Sequence, residues 1–192
     1  MKHLTALICL CRPQQWSKNT FVFLPMFFSG RLFDTHIWLV SLYAFISCSL
    51  ASSSVYCLND IIDASADRLH PIKRHRPIAA GRIKTIEALI IMVFLFLSSI
   101  VISYFTIGWE VAILILSYML LNIAYCLKLK QISIIDVFIV AFGFVLRVII
   151  GGVATDITLS PWIILMTFLL TLFLAFAKRR DDVLIYDKDS TL

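Results

Sequence analysis

Apolar residues run along this chain in blocks long enough, or nearly long enough, to cross a bilayer, with short polar stretches between them. The blocks lie at about Thr20 to Ser29, Ile37 to Leu58, Ile86 to Ile107, Val111 to Leu127, Ile132 to Ala154 and Trp162 to Ala177. A transmembrane helix needs about 20 predominantly apolar residues, so the last five read as spans and the first is short on its own. Taken with the upstream Leu4 to Leu10 run and the break at Arg12-Pro13, the first block predicts a helix that is kinked or partly interfacial. A secretory signal is the rival reading of the amino terminus, because Lys2 precedes a short apolar run. No A-x-A-like cleavage site follows, and Arg12, Pro13 and Trp16 form an amphipathic lead into a span. The expected fold class is an all-α membrane protein with about six transmembrane helices.

Composition agrees with the pattern. At 60% hydrophobic and 15% charged residues, with a mean hydropathy of +0.93, the chain is excluded from the ordinary soluble domains. Basic residues then set an orientation. Lys2, Arg12 and Lys18 precede the first span, Arg68, Lys73, Arg74, Arg76, Arg82 and Lys84 lie between the second and third, Lys128 and Lys130 follow the fourth, and Lys178, Arg179, Arg180 and Lys188 follow the sixth, whereas the opposite loops hold only Arg31. By the positive-inside rule both termini and the Asp-rich segment face the cytoplasm of an inner-membrane protein, and dropping any one span breaks the alternation. The cysteines (Cys9, Cys11, Cys48, Cys57 and Cys126) show no zinc-type spacing and read as reduced packing residues. Neither a linker nor a second domain is visible, no nucleic-acid partner is expected, and the oligomeric state is left open.

The longest polar segment, Asn59 to Thr85, carries the densest chemistry. It opens on Asn59-Asp60-Ile61-Ile62-Asp63-Ala64-Ser65-Ala66-Asp67-Arg68. At about 100° per residue, Asn59, Asp60, Asp63 and Asp67 fall within an arc of about 100° on one helix face. Oxygen ligands in that arrangement suit Mg²⁺, which keeps much of its shell for water and a substrate diphosphate. The alternative is a solvated helix end with scattered acids; the immediate succession of Arg68, Lys73, Arg74 and Arg76 weighs against it. A weaker echo, Lys178-Arg179-Arg180-Asp181-Asp182, stands at the corresponding end of the last span, so the two clusters are placed to face one cavity.

Polar residues inside the spans point the same way. Tyr118, Asn122 and Tyr125 form an i, i+4, i+7 stripe with Lys128 beyond it, and lipid would penalise such a stripe. Asp136 and Arg147 share a face of the fifth span about 16 Å apart along its axis, with Gly143 and Gly151 on that face too. A charge as deep as Arg147 costs roughly 2.5–3.5 kcal/mol even on the lenient insertion scale. It needs either a carboxylate on a neighbouring helix or a phosphate, to which a planar guanidinium is suited. The glycines also allow close helix packing with no ligand present.

Together these stretches resemble a known family. Asn59-Asp-x-x-Asp63-x-x-x-Asp67-Arg68, followed by Lys73-Arg74-x-Arg76-Pro77-Ile78-Ala79-Ala80-Gly81, is similar to the first aspartate-rich motif and basic loop of the UbiA superfamily of intramembrane prenyltransferases. Arg12-Pro13-x-Gln15-Trp16-x-Lys18-Asn19, Asp136…Gly143-Phe144-x-x-Arg147-x-x-x-Gly151-Gly152 and Ala177-Lys178-Arg179 resemble its decaprenyl-phosphate phosphoribosyltransferase branch. The resemblance implies transfer of 5-phosphoribose from phosphoribosyl diphosphate to a polyprenyl phosphate, with Mg²⁺ on Asp60, Asp63 and Asp67 and help from Asn59. Lys73, Arg74 and Arg76, with Arg147 and Lys128, would hold phosphates; Arg68, Tyr125 and Lys178 join them as substrate ligands, and Lys18 and Arg12 are the candidates for the lipid head group.

Two features depart from the family pattern. The second D-x-x-x-D motif of the aromatic prenyltransferases is absent after Asp181 and Asp182. The family bundle usually has nine helices, so residues 1–192 are expected to form a single domain lacking the last three, with little activity alone. The rivals are an aromatic prenyltransferase acting on a prenyl diphosphate, an inactive remnant and a cation transporter; the last would place acids near midplane in broken helices.

Overall fold

The computed structural model describes the backbone of residues 2–189; of the side chains, those of residues 2, 131, 133 and 182–189 are not described, so Lys2, Asp182 and Lys188 of the expected charge pattern lie outside the described side chains. Helices α1 (Lys2–Cys11), α2 (Leu24–Phe28), α3 (Thr35–Ile62), α4 (Ala64–Leu69), α5 (Thr85–Thr106), α6 (Trp109–Leu127), α7 (Ser133–Thr155) and α8 (Pro161–Asp189) follow in order, with a 3-10 segment at Pro13–Phe23 between α1 and α2. The chain is a multi-pass membrane protein: α3, α5, α6, α7 and α8 are long and apolar enough to cross a bilayer. Large apolar side chains such as Phe94, Phe105, Leu120 and Phe173 face outward, where lipid receives them at no cost.

The expected first helix is broken at its predicted place, and α1 before the break packs through Ala6 and Leu10 against Cys57, Ile78 and Ala88 at the basic-loop end of the bundle. Arg12 adopts a left-handed backbone (φ 50°), which stops α1 and turns the chain into Pro13. Eleven residues of 3-10 helix then follow. At a rise of about 2.0 Å per residue they cover about 22 Å, and the short α2 adds about 7 Å. Fewer residues than an α-helix needs thus carry the chain across about 30 Å of hydrocarbon. Contacts at both ends agree: Arg12 meets Asp60 near the carboxyl end of α3, while the Phe23 ring lies 5.8 Å from Trp38 near its start. Three residues per turn stack Trp16, Asn19 and Val22 on one face against α3. The Trp16 indole N–H donates to Ser53 Oγ at 2.9 Å, so Trp16 is a bundle residue rather than a membrane-surface anchor.

α3 is the central helix, with 56% of its apolar window buried against 17% for α5 and 11% for α8. Its buried face is built of small residues, among them Ser47, Cys48, Ala51 and Ser54. Small side chains let backbones approach and hydroxyls bridge them. Ser54 Oγ donates to the Met92 carbonyl at 2.9 Å and Ser99 Oγ to the Ser47 carbonyl at 2.7 Å, joining α3 to α5. On the other side α7 comes close to the 3-10 segment at Gly151, where an added Cβ would stand 2.0 Å from the Val22 carbonyl oxygen.

Candidate functional site

The end of α3 rotates its polar residues onto two faces. The helical ladder carries on through Asp63, whose N–H bonds the Asn59 carbonyl at 2.9 Å and whose carbonyl accepts from Asp67 N–H at 2.8 Å. Asp60 and Asp67, seven residues apart, therefore lie within about 20° of each other, while Asp63 and Asn59 are turned about 60° and 100° to one side. That offset separates them. Asp60 and Asp67 are buried under the basic loop; Asn59 and Asp63 open, with Ser52, Val55 and Tyr56, onto a cavity of about 930 Å³ between α3, α6, α7, α8 and the 3-10 segment.

Each carboxylate at this end has a cationic partner. Arg76 reaches Asp67 at 2.7 Å and Asp60 at 3.3 Å, and Arg12 pairs with the same Asp60 oxygen while its guanidinium stacks over Tyr56 at 4.9 Å. Lys130 holds Asp63 at 2.5 Å. Across the cavity Asp136, near the start of α7, accepts from Tyr125 Oη at 2.7 Å and pairs with Arg179 of α8. Among the described residues two buried side-chain oxygens have no partner, Ser47 Oγ within α3 and, at this end, Asp60 Oδ2.

Arg147 is bound differently. Its Nε donates to Asn19 Oδ1 at 2.7 Å, Nη1 to the Gly143 carbonyl at 2.7 Å and Nη2 to Tyr118 Oη at 2.9 Å, all neutral acceptors. Asn19 in turn donates to Ser49 and Ser52 on α3, both at 3.0 Å. The guanidinium also lies over the Tyr118 and Phe144 rings at 4.9 and 5.3 Å. Of the two partners expected for this residue, the carboxylate is not found among the described residues: a cation 7% exposed borders the cavity with no ion pair.

Most of the predicted residues converge here, and five do not: Asp60 and Asp67 are buried beside the cavity rather than lining it, and Arg68, Arg74 and Lys128 lie outside it. Arg12, Lys18, Asn59, Asp63, Lys73, Arg76, Tyr125, Arg147 and Lys178 line the one cavity. Arg68 and Arg74 are exposed outside it, because burying Asp67 turns the next residue away and Arg74 Nε is directed at His75, 3.4 Å off. Lys128 is exposed as well: α6 ends at Leu127, and a 3-10 turn at Leu129–Gln131 presents Lys130 instead. Lys130, Asp136, Arg179 and Asn19 were missed as site residues. The signal for Asp136 and Arg179 was present, since opposite charges at the facing ends of consecutive antiparallel helices need partners in a bilayer.

The donor chemistry fits the expected Mg²⁺ in kind. Asn59 and Asp63 offer hard oxygens to the cavity, and Asp60 Oδ2 is an unused buried acceptor beside them. Asp60, Asp63 and Asp67 do not form one carboxylate cluster, however: among the described residues no three His, Cys, Asp or Glu side chains come together as a metal-holding group. Arg76 and Lys130 now occupy the acids a cation would share.

Comparison with known proteins agrees with this architecture. The UbiA prenyltransferase family model matches residues 20–190. The chain is 38% identical over 96% of its length to decaprenyl-phosphate phosphoribosyltransferase of Mycolicibacterium smegmatis, and 36% identical over 95% to that of Corynebacterium glutamicum, covering 59% and 56% of those proteins. It thus spans somewhat under three-fifths of the length of these relatives. Among solved structures, a digeranylgeranylglyceryl phosphate synthase superposes with a TM-score of 0.74 at 24% identity, over 93% of this chain and 62% of that one. A UbiA homolog from Archaeoglobus fulgidus, bound to GPP and Mg²⁺, does so with a TM-score of 0.70 at 18% identity, over 87% of this chain and 60% of that one.

Proposed function

The chain belongs to the UbiA prenyltransferase family, and from that premise we propose that its cavity serves Mg²⁺-dependent transfer of 5-phosphoribose from phosphoribosyl diphosphate to a polyprenyl phosphate at the cytoplasmic face of the inner membrane. The observation that carries the reading is the cavity itself: one space of about 930 Å³, set in a membrane bundle, bears metal-suited oxygens on one wall and several cations on the others. Two polyanionic substrates, one from water and one from lipid, call for that combination. The names of the phosphoribosyltransferase relatives support the choice of donor and acceptor.

In this reading Asn59 and Asp63, with the free Asp60 oxygen behind them, would hold the metal, whose charge would offset that of the leaving diphosphate. Lys130 and Arg76 release their carboxylates and turn to phosphate oxygens, exchanging one charge-assisted contact for another. Lys73 adds a third cation at the same rim. An oxygen of the acceptor phosphate attacks the anomeric carbon of the ribose; the bond from that carbon to diphosphate breaks, and diphosphate leaves with the electron pair. The acceptor is mostly a dianion at neutral pH, as its second pKa is about 6. No general base is needed.

The test is incubation of membranes containing the chain with radiolabelled phosphoribosyl diphosphate, with and without polyprenyl phosphate and Mg²⁺. Label entering the lipid phase only when all are present supports the reading. Label entering lipid from a prenyl diphosphate and an aromatic acceptor, with none from the phosphoribosyl donor, overturns it.

A further inference from the structure

The two ends of the cavity differ in charge in a way that the substrates' shared polyanionic character does not explain. At one end carboxylates and cations alternate and are paired. At the other stand Lys18 of the 3-10 segment, Arg147 of α7 and Lys178 of α8, and among the described residues none of the three is ion-paired. Lys18 lies within electrostatic range of Lys178, Arg147 and Arg12, of which, among the described residues, only Arg12 is ion-paired, to Asp60. Charges of one sign gathered at one cavity repel one another unless an anion joins them, most of all at Arg147, which is buried while Lys18 and Lys178 keep solvent contact. Arg147 is fixed in place by three hydrogen bonds and two rings. A guanidinium has five N–H groups, so about two remain for a ligand.

We propose that the cavity sorts its two substrates by charge: Lys18, Arg147 and Lys178 form the subsite for the phosphate monoester of the lipid acceptor, while the diphosphate of the soluble donor stays at the end bearing Asn59 and Asp63. The division rests on the function proposed above and assigns its second substrate. A phosphate monoester carries about −1.5 to −2 charges and needs no metal if two or three cations meet it; beside Asp63 it would be repelled. A diphosphate tolerates that acid only through a shared divalent cation; among the described residues no carboxylate is paired with Lys18, Arg147 or Lys178, and Asp136 nearby is taken by Tyr125 and Arg179. Apolar walls adjoin the subsite as an isoprenoid requires. Phe21, one 3-10 turn from Lys18, packs edge-on against Phe144 at 4.8 Å between centroids, and Leu174 lies one turn from Lys178. Arg12, the earlier candidate for the head group, is taken by Asp60.

The test measures binding to the purified chain in detergent, using farnesyl phosphate and phosphoribosyl diphosphate with Mg²⁺ as separate probes and farnesol as the uncharged control. Lys18→Gln and Lys178→Gln are each expected to weaken farnesyl phosphate at least tenfold and leave the donor within twofold; Asp63→Asn is expected to do the reverse. Farnesol should bind all variants alike. Loss of donor binding in the lysine variants, with farnesyl phosphate retained, would overturn the assignment by placing the donor's 5-phosphate there, and so would equal farnesyl phosphate binding by all variants. Should the unaltered chain bind farnesyl phosphate through these lysines and ignore phosphoribosyl diphosphate, the subsite stands and the proposed donor falls.

Discussion

The acid-bearing end of the cavity and its cationic end solve the problem of intramembrane charge in opposite ways. At the first, Arg12 and Arg76 share Asp60 and Lys130 holds Asp63, so the protein neutralises itself. At the second, Arg147 is solvated by an amide, a carbonyl and a phenol, with no counter-charge among the described residues. Self-paired charges can rest in an empty site and must be exchanged when a ligand arrives. Solvated cations are already aimed and wait for the anion. The difference separates a site that has to rearrange, and so can discriminate, from one that is preorganised.

The largest effect is expected where the two designs are most unlike. Asp63→Asn keeps the shape and the possibility of a hydrogen bond to Lys130, but removes the α3-end carboxylate that borders the cavity, offset from the Asp60–Asp67 pair. Label transfer in an active background should fall by at least about 10²–10³-fold, the usual cost of losing one electrostatic stabiliser of developing charge. Membrane insertion should be unchanged. Substantial turnover by this variant would show that the acid end is merely a solvated helix terminus.

Arg147→Met tests the other end. Were the arginine a structural strut, losing three hydrogen bonds would unfold the neighbourhood. A buried cation with no ion pair also carries a desolvation penalty of several kcal/mol, which the methionine removes. Thermal stability in detergent should therefore hold within a few degrees while affinity for a lipid phosphate drops by more than about tenfold, or about 1.4 kcal/mol. A large loss of stability with unchanged affinity would make Arg147 architecture.

How far these ends could be read beforehand depended on helical regularity. The face carrying Asn59, Asp60, Asp63 and Asp67 was legible because 100° steps hold through the ladder at Asp63. The consequence of a further 60° was not, since it depends on where Arg76 and Lys130 arrive from other elements. Lys128 was placed by extending α6 past its end, and neither glycine nor proline marks that end at Leu127. The 3-10 crossing was hidden for a related reason: hydropathy measures residues, whereas a bilayer measures ångströms, and a helix rising about 2.0 Å per residue needs fewer of them. The polar face at Trp16 and Asn19 hinted at threefold spacing without showing that α3 would cover it.

Gly151→Ala separates the ends through packing alone. The new Cβ would stand 2.0 Å from the Val22 carbonyl oxygen, a distance backbone cannot tolerate, so α7 and the 3-10 segment must part. Overpacking of this kind costs about 1–3 kcal/mol. Because the displaced segment carries Asn19 and Lys18, farnesyl phosphate binding should weaken along with the melting temperature. Asp60 and Asp67 belong to α3 and α4 and Asp63 joins the two helices, so donor binding measured below the melting transition should persist. Equal weakening of both ligands would mean that the two ends are mechanically one.

The smallest effect concerns two lysines that stand two positions apart in the sequence and that the structure separates, one at the cavity and one outside it. Lys130 reaches Asp63 from the turn after α6, with both side chains about a quarter exposed, whereas Lys128 points away from the cavity. A partly solvated pair contributes about 1 kcal/mol or less to stability. Lys130→Ala is therefore expected to leave folding alone and to reduce donor affinity by about three- to tenfold, through one lost charge-assisted contact to phosphate. Lys128→Ala should change nothing beyond twofold in either affinity. Titrating phosphoribosyl diphosphate into both variants at low and high salt gives the comparison its sharpest form: only the Lys130 variant should show a shallower salt dependence, because only that lysine meets the ligand. If the Lys128 variant shows it instead, α6 continues one turn further in the bound protein, and the exchange of cations at the acid end begins with that helix rather than with Lys130.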